Sequence, residues 1–222
     1  MHYKFDFSPI IAGMPDLLRG CAGTIGLAVA GMALAITIGL IGVVARNSSF
    51  APLRYLVIGF VELIRNTPFL VQIYFLFFAL PNLDIKLNPT AAAIIALGIN
   101  GGAYAIEIVR GGVQAISKGM VEAGRALGLH PLQIFRFIVL KPAIRTIYPA
   151  LVSQFILLTL TTSITSSISA YELTSVAMVI ESNTYRSFEV YFTITLMYLA
   201  ISSLMMLLFG FISKRYLSYP TR

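Results

Sequence analysis

The sequence contains few charged residues: Asp, Glu, Lys and Arg make up 11% of its 222 residues, and 58% are hydrophobic. Water-soluble domains are roughly one quarter charged, so this composition excludes a soluble domain and indicates an integral membrane protein. The single cysteine, Cys21, excludes an internal disulfide, and His2 and His130 are too few and too separated for a metal cluster. A phosphate-binding loop of the form Gly-x-x-x-x-Gly-Lys-Ser/Thr is also absent, which excludes ATP hydrolysis by this chain alone.

Five apolar stretches predict an all-α integral membrane protein with about five transmembrane helices. The uncharged run 21–45 exceeds the roughly 20 residues that cross a bilayer. Charged residues and a proline at 62–68 interrupt the next run, so we predict an interfacial helix over 53–64 and then a short span capped by Asn66 or Thr67. We expect the whole chain, 1–222, to form one transmembrane domain, with predicted spans at 21–45, 65–80, 90–109, 147–170 and 191–212.

The distribution of basic residues predicts the orientation of the chain. Cytoplasmic loops carry an excess of Lys and Arg. If the segment between the third and fourth spans is cytoplasmic, that side holds twelve of the sixteen basic residues and three of the nine acidic ones. We therefore attribute the net charge of +7 to loop bias rather than to nucleic-acid binding. We expect the N-terminus outside and the C-terminus inside.

The segment 110–145 is the longest charged interval of the chain, and Glu122 is the only acid between Val113 and Arg145. Gly128 suits the left-handed end of a helix, Pro131 can begin a second helix, and Pro142 can break it before the fourth span. We therefore predict two short cytoplasmic helices joined by a tight turn. From these residues alone, an ordinary membrane-surface loop and a docking site for a partner fit equally well.

Three segments carry a family resemblance. The first is Glu122-Ala-Gly-x-x-x-Gly128, followed by Ile138-x-Leu140; the others are Tyr104-Ala-Ile-Glu107-Ile-Val-Arg110 and Glu62-Leu-Ile-Arg65-Asn-Thr67-Pro68-Phe-Leu-Val-Gln72. Together they resemble the EAA loop and two further signatures of bacterial ABC importer permeases, in the histidine/glutamine-type branch for polar amino acids. The resemblance implies the type I ABC importer permease fold in the bacterial inner membrane. It also implies a non-enzymatic subunit that translocates a polar amino acid or a related compound.

The resemblance further implies a set of partners and a docking site. The cytoplasmic coupling helix in the loop 110–145 would seat on an ATPase subunit, with Glu122, Ala123, Gly124 and Gly128 as the ATPase-coupling residues. Two such subunits would bind ATP and Mg²⁺, leaving no cofactor in this chain. A second permease copy or paralogue and an external solute-binding protein complete the expected assembly. Gly124, where the family usually has alanine, would make the helix slightly more flexible, and Pro142 lies one place later than usual.

Polar groups inside the predicted spans mark a candidate substrate path. The fourth span is rich in hydroxyls, and an asparagine lies between glycines in the third. The candidate path residues are Asn100, Gln154, Thr161, Thr162 and Ser163. Two other roles remain open for them, since hydroxyls often bond to a carbonyl of their own helix and an amide can join two helices.

Charged residues near the ends of the spans have other predicted roles. We expect structural ion pairs between Glu107 and Arg110 and between Glu62 and Arg65. In the outer connection we expect contact with the binding protein through Glu172, Glu181, Arg186 and Glu189. The alternative function is a stand-alone ion-coupled carrier for a small polar solute. Such a carrier needs ionisable groups at mid-membrane, and the centres of the first, third, fourth and fifth predicted spans contain none.

Overall fold

The regular secondary structure is helical throughout residues 4–217, the part of the chain that the computed structural model describes. In chain order the helices are α1 (Ser8–Ala12), α2 (Met14–Arg46), α3 (Ala51–Arg65), α4 (Phe69–Leu83), α5 (Pro89–Gln114), α6 (Lys118–Ala126), α7 (Pro131–Ile168), α8 (Leu173–Thr184) and α9 (Ser187–Leu217). Helices α2, α5, α7 and α9 are long and apolar enough to cross a membrane, and the bent pair α3–α4 forms a fifth candidate. The predicted all-α membrane fold is confirmed.

Helices α2 and α5 pack closely at the centre of the molecule because small residues line their contact. A Cβ atom added to Gly39 of α2 would lie 2.6 Å from the Cβ atom of Ala105 on α5. A Cβ atom added to Gly102 of α5 would lie 2.6 Å from the side chain of Ile38 on α2. Small residues allow transmembrane helices this close approach, and the rest of the bundle is assembled around the α2–α5 pair.

The second span is broken, but its halves are joined differently from the prediction. Helices α3 and α4 meet at 109°, and the N-cap of α4 is Pro68, in an extended conformation. The predicted caps, Asn66 and Thr67, instead donate side-chain hydrogen bonds to backbone carbonyls four residues earlier, at 2.8 Å in both cases. The last carbonyls of a helix have no partner within it, so these two side chains complete α3 rather than begin α4.

Helix α7 is continuous, although the sequence predicted that Pro142 would break it. It begins at Pro131, as predicted, but continues through Pro142 to Ile168. Proline breaks an α-helix because it lacks an N–H and its ring meets the carbonyl four residues earlier. Here the turns over Ile134–Val139 are π-helical. Their hydrogen bonds span five residues instead of four, and this wider turn before Pro142 lets the helix continue. The predicted span 147–170 therefore begins inside a longer helix, and α6 is the one separate helix between α5 and α7.

Two acids expected to face an external partner are buried at the end of the bundle opposite α6. Glu172 and Glu189 have no exposed surface. The Glu172 carboxylate accepts hydrogen bonds from the backbone N–H groups of Thr174 and Ser175, at 2.9 and 2.6 Å, and from the Tyr198 hydroxyl at 2.6 Å. Burial raises the pKa of the Glu172 carboxyl, and these hydrogen bonds act against that rise. The expectation that Glu172 and Glu189 contact a binding protein is wrong, because both are needed inside the fold.

Candidate functional site

Helix α6 ends in a turn that requires glycine. Gly128 has a φ of +75°, in the left-handed region that side chains disfavour. Its backbone N–H donates to the carbonyl of Arg125 at 2.9 Å, and the N–H of Leu129 donates to the carbonyl of Gly124 at 3.1 Å. These are the two bonds of a Schellman motif. The prediction that Gly128 ends this helix is confirmed.

The first turn of α7 is held by an equally local set of hydrogen bonds. The His130 Nδ1 atom accepts from the backbone N–H of Leu132 at 3.5 Å, and the Gln133 side chain accepts from the backbone N–H of His130 at 2.8 Å. Pro131 occupies the first turn, where its missing N–H costs nothing. The connection between α6 and α7 is therefore short and hydrogen-bonded at both ends.

Gly124 joins the two helices through direct packing. It is buried, and an added Cβ atom would lie 2.5 Å from Cδ1 of Ile138 and 3.2 Å from Cγ1 of Ile134. Ile134 is itself buried. The prediction that Gly124 serves to make α6 more flexible has no support here. Glycine at this position instead lets α6 lie directly on the first turns of α7.

The opposite face of α6 is open. Glu122 and Ala123 are exposed, and Glu122 makes no hydrogen bond or ion pair with the described residues. Two apolar side chains of α6 are also exposed, Met120 at 43% and Leu127 at 79%, and both lie one helical turn from Ala123. A groove of about 560 Å³ lies between α6 and α7, and other residues of the two helices line it. Met120 and Leu127 were not among the residues predicted from the sequence, although their seven-residue spacing on a polar helix places them on one face.

An ion cluster joins α2 and α5 at the same end of the bundle. The Glu107 carboxylate lies between Arg46 of α2 and Arg110 of α5, and its oxygen is 2.6 Å from Nη2 of Arg110. Arg110 also donates to the Gln114 side chain at 2.7 Å. The predicted Glu107–Arg110 pair is confirmed. Arg46 was missed because nothing in the sequence relates it to a residue that far along the chain.

The predicted Glu62–Arg65 ion pair is wrong. The Glu62 carboxylate accepts a hydrogen bond from Asn66 at 3.0 Å. The Arg65 guanidinium instead lies over the Tyr104 ring, 5.2 Å from its centroid. A guanidinium at this distance is attracted by the negative face of the ring. Arg65 therefore connects the end of α3 to α5.

Three of the five predicted path residues line one cleft. Asn100, Gln154 and Thr161 share a cleft of about 200 Å³ with Thr67 and Tyr104. Its remaining walls are apolar: Phe69, Leu97, Leu157, Leu158 and Ile164. Within residues 4–217, no acidic or basic side chain lines this cleft. Gln154 is largely buried, and its amide makes no hydrogen bond with the described residues.

The other two predicted path residues lie outside the cleft. Thr162 is fully buried and donates to the carbonyl of Thr159 at 2.7 Å. Ser163 donates to the carbonyl of Leu160 at 2.8 Å. Both hydroxyls satisfy their own helix where α7 narrows to a 3₁₀ segment, Thr162–Ile168. Neither residue is among those that line the cleft. Thr161 does line it, although its hydroxyl likewise donates to a carbonyl of its own helix, that of Leu157, at 2.8 Å.

Comparison with known proteins shows the family of this chain. Residues 22–218 match the family described as binding-protein-dependent transport system inner membrane component. The chain therefore belongs to this family of ABC importer permeases.

Similar proteins agree with this membership. The chain is 36% identical to the glutamine transport system permease protein GlnP of Escherichia coli (strain K12), over 96% of each chain. It is 39% identical to the probable glutamine ABC transporter permease protein GlnP of Bacillus subtilis (strain 168), over 84% of this chain and 87% of that protein. A solved amino acid ABC transporter with histidines matches with a TM-score of 0.90 at 31% identity, covering 96% of this chain and all of the other.

Family membership decides between the two functions that the sequence left open. The chain is the inner-membrane permease subunit of an ATP-driven amino-acid importer, with ATP hydrolysis on separate subunits and a binding protein as a further partner. It has the type I importer permease fold. The alternative function, a stand-alone ion-coupled carrier, is therefore rejected.

The close packing of Gly124 against α7 can be tested by substitution. We expect Gly124→Ala to lower the melting temperature of the purified protein, because overpacking against Ile138 costs about 1 kcal/mol. Ile138→Val removes the Cδ1 atom that the new methyl would meet, so the double variant should recover most of the loss. The measurement is thermal unfolding in detergent.

Gly119→Ala is the matched control on the same helix. The nearest atom to an added Cβ there is Oγ of Ser117 at 3.6 Å, an ordinary contact. Equal melting temperatures for Gly119→Ala and Gly124→Ala would contradict the packing role of Gly124.

Proposed function

We propose that α6 is the coupling helix, through which this permease receives the conformational change of an ATPase subunit. The division between its two faces supports this role. Gly124 packs against α7 and Gly128 forms the terminal turn, while Glu122 and Ala123 face outward. Gly124 and Gly128 thus shape the helix, and Glu122 and Ala123 make the contact with the ATPase. Exposed apolar groups on a short helix, here Met120 and Leu127, are typical of an interaction surface.

The proposed assembly contains two ATPase subunits, which bind ATP and Mg²⁺, and a second permease copy or paralogue. In it, the α6 end faces the cytoplasm and the N-terminus lies outside. Basic residues concentrated near α6 support this orientation through the positive-inside rule; they are Arg46, Arg110, Lys118, Arg125, Arg136 and Lys141. Alternating closure of the ATPase pair would then move α6 and α7 together.

The cleft between α4, α5 and α7 is the proposed substrate path. Its polar groups are amides and hydroxyls, from Asn100, Gln154, Thr161, Thr67 and Tyr104. Uncharged donors and acceptors suit a neutral polar side chain, whereas a cationic one would need a carboxylate partner inside the membrane. We therefore propose a neutral polar amino acid as the substrate. Glutamine is the first candidate, because relatives that match most of the chain are named glutamine permeases.

The coupling role is tested with Glu122→Lys in proteoliposomes that contain the full transporter. Reversing this exposed charge should reduce ATP-driven uptake by at least about tenfold, the effect of losing roughly 1.4 kcal/mol at the interface. It should also lower the amount of ATPase that co-purifies with the permease, while membrane insertion stays normal.

Asp16→Lys provides the control for Glu122→Lys. Asp16 is an exposed acid at the opposite end of the bundle, paired with Arg19 at 3.2 Å, and exposed pairs of this kind contribute little to stability. ATPase co-purification should be normal in this control. Normal uptake and normal co-purification in Glu122→Lys would refute the docking role of α6.

The substrate proposal is tested at Gln154. Gln154→Leu should raise the KM for glutamine by about tenfold, because one neutral hydrogen bond contributes on the order of 1 kcal/mol. Gln154→Glu should make arginine a better competitor, because it places a carboxylate in a cleft without charge. Uptake of labelled glutamine with unlabelled competitors measures both effects, and wild-type values in both variants would exclude Gln154 from the path.

A further inference from the structure

Gln72, on the first turns of α4, holds the broken span together from inside. Its Nε2 atom donates to the backbone carbonyl of Ile64 at 2.7 Å, near the end of α3. The same atom lies 2.9 Å from Oγ1 of Thr67 and 3.1 Å from the carbonyl of Thr67. One side-chain amide therefore contacts the end of α3 and the connecting turn from the start of α4.

The other end of this amide reaches a third helix. The Gln72 Oε1 atom accepts a hydrogen bond from Nδ2 of Asn100 on α5, at 2.9 Å. Gln72 is only partly exposed, and both ends of its amide are engaged. Its side chain thus ties α3, α4 and α5 to one another at the point where the span bends.

A bend of 109° within a membrane-spanning pair leaves backbone groups without helical partners. Such groups must be satisfied internally, because the hydrocarbon interior offers no water for hydrogen bonding. Gln72 satisfies the carbonyls of Ile64 and Thr67, which the break exposes. An apolar replacement would leave these carbonyls unpaired, so the angle between α3 and α4 depends on this amide.

Two of the groups that Gln72 contacts also line the cleft. Thr67 and Asn100 both belong to the wall of the 200 Å³ cleft, whereas Gln72 is not among its lining residues. We propose that Gln72 is a positioning residue: it fixes the bend between α3 and α4, and through that bend it sets where Asn100 and Thr67 present their polar groups to the substrate. The effect on Asn100 and Thr67 rests on the proposed substrate path, whereas the control of the bend between α3 and α4 does not.

The experiment measures the bend and the transport kinetics in the same complex. Spin labels replace Leu56 on α3 and Phe78 on α4, both more than half exposed, in a Cys21→Ala background. In the reconstituted transporter, Gln72→Leu should broaden the distance distribution between the labels. It should also raise the KM for L-glutamine by about tenfold, with a smaller change in kcat.

A double-variant cycle links Gln72 to Asn100. Because Asn100 depends on Gln72 for its position, the KM of Gln72→Leu/Asn100→Leu should be no higher than that of the worse single variant. Asn66→Leu is the control. It also removes an amide at the bend, but that amide donates only within the α3 end, to Glu62, so both the distance distribution and the KM should stay at wild-type values.

Three other results would overturn the control of the bend, the positioning role of Gln72 or the substrate path. A wild-type distance distribution in Gln72→Leu would overturn the control of the bend. A raised KM in Asn100→Leu but not in Gln72→Leu would overturn the positioning role and keep the cleft as the path. A wild-type KM in both variants, with a broadened distribution, would reject the path and the positioning role together.

Discussion

The contact of Gly124 with Ile134 and Ile138 fixes the position of α6 on the first turns of α7. Without a side chain at residue 124 the two helices touch directly, and the Schellman turn at Gly128 and the capping box at His130 hold the connection between them. Helix α7 then continues without a break to Ile168. In the proposed coupling role, a displacement of α6 by an ATPase would therefore be carried into the helix that contributes Gln154 and Thr161 to the cleft.

The cleft receives its remaining polar groups from Thr67, at a sharp bend, and from Asn100 and Tyr104 on α5. Helices α3 and α4 meet at 109°, and Gln72 connects this bend to Asn100 on α5. The cleft thus lies between α7, whose first turns carry α6, and the bend between α3 and α4. At the far end, buried Glu172 binds the first backbone N–H groups of α8, so that the end opposite α6 is also held by hydrogen bonds.

The sequence predicted those features that depend on local chemistry. Gly128 and Pro131 were correctly placed at helix ends because backbone conformation at these positions follows from the residue type. Asn100, Gln154 and Thr161 were selected as intramembrane polar groups, and they do meet in one cleft. Their roles in transport remain predictions.

Features that depend on tertiary contacts could not be read from the sequence. Pro142 was expected to end a helix, but the π-helical turns before it depend on how α7 packs. Glu172 and Glu189 looked like surface acids, since nothing local shows that other helices cover them. The role of Gly124 required knowing which atoms lie opposite it. Gln72 lay within a quoted family signature, but its link to Asn100 appears only when α4 and α5 are brought together.

We expect α6 and the first half of α7 to move as one body, and the distance between two spin labels, one on each helix, measures whether they do. Spin labels at Lys118 and Ile144, both exposed, would report the α6–α7 distance in the reconstituted complex without nucleotide and with ATP trapped. If the two helices move together, the distance is the same in both states. A shift larger than the width of the distance distribution would show that α6 moves independently of α7, which is incompatible with α6 transmitting its movement through α7.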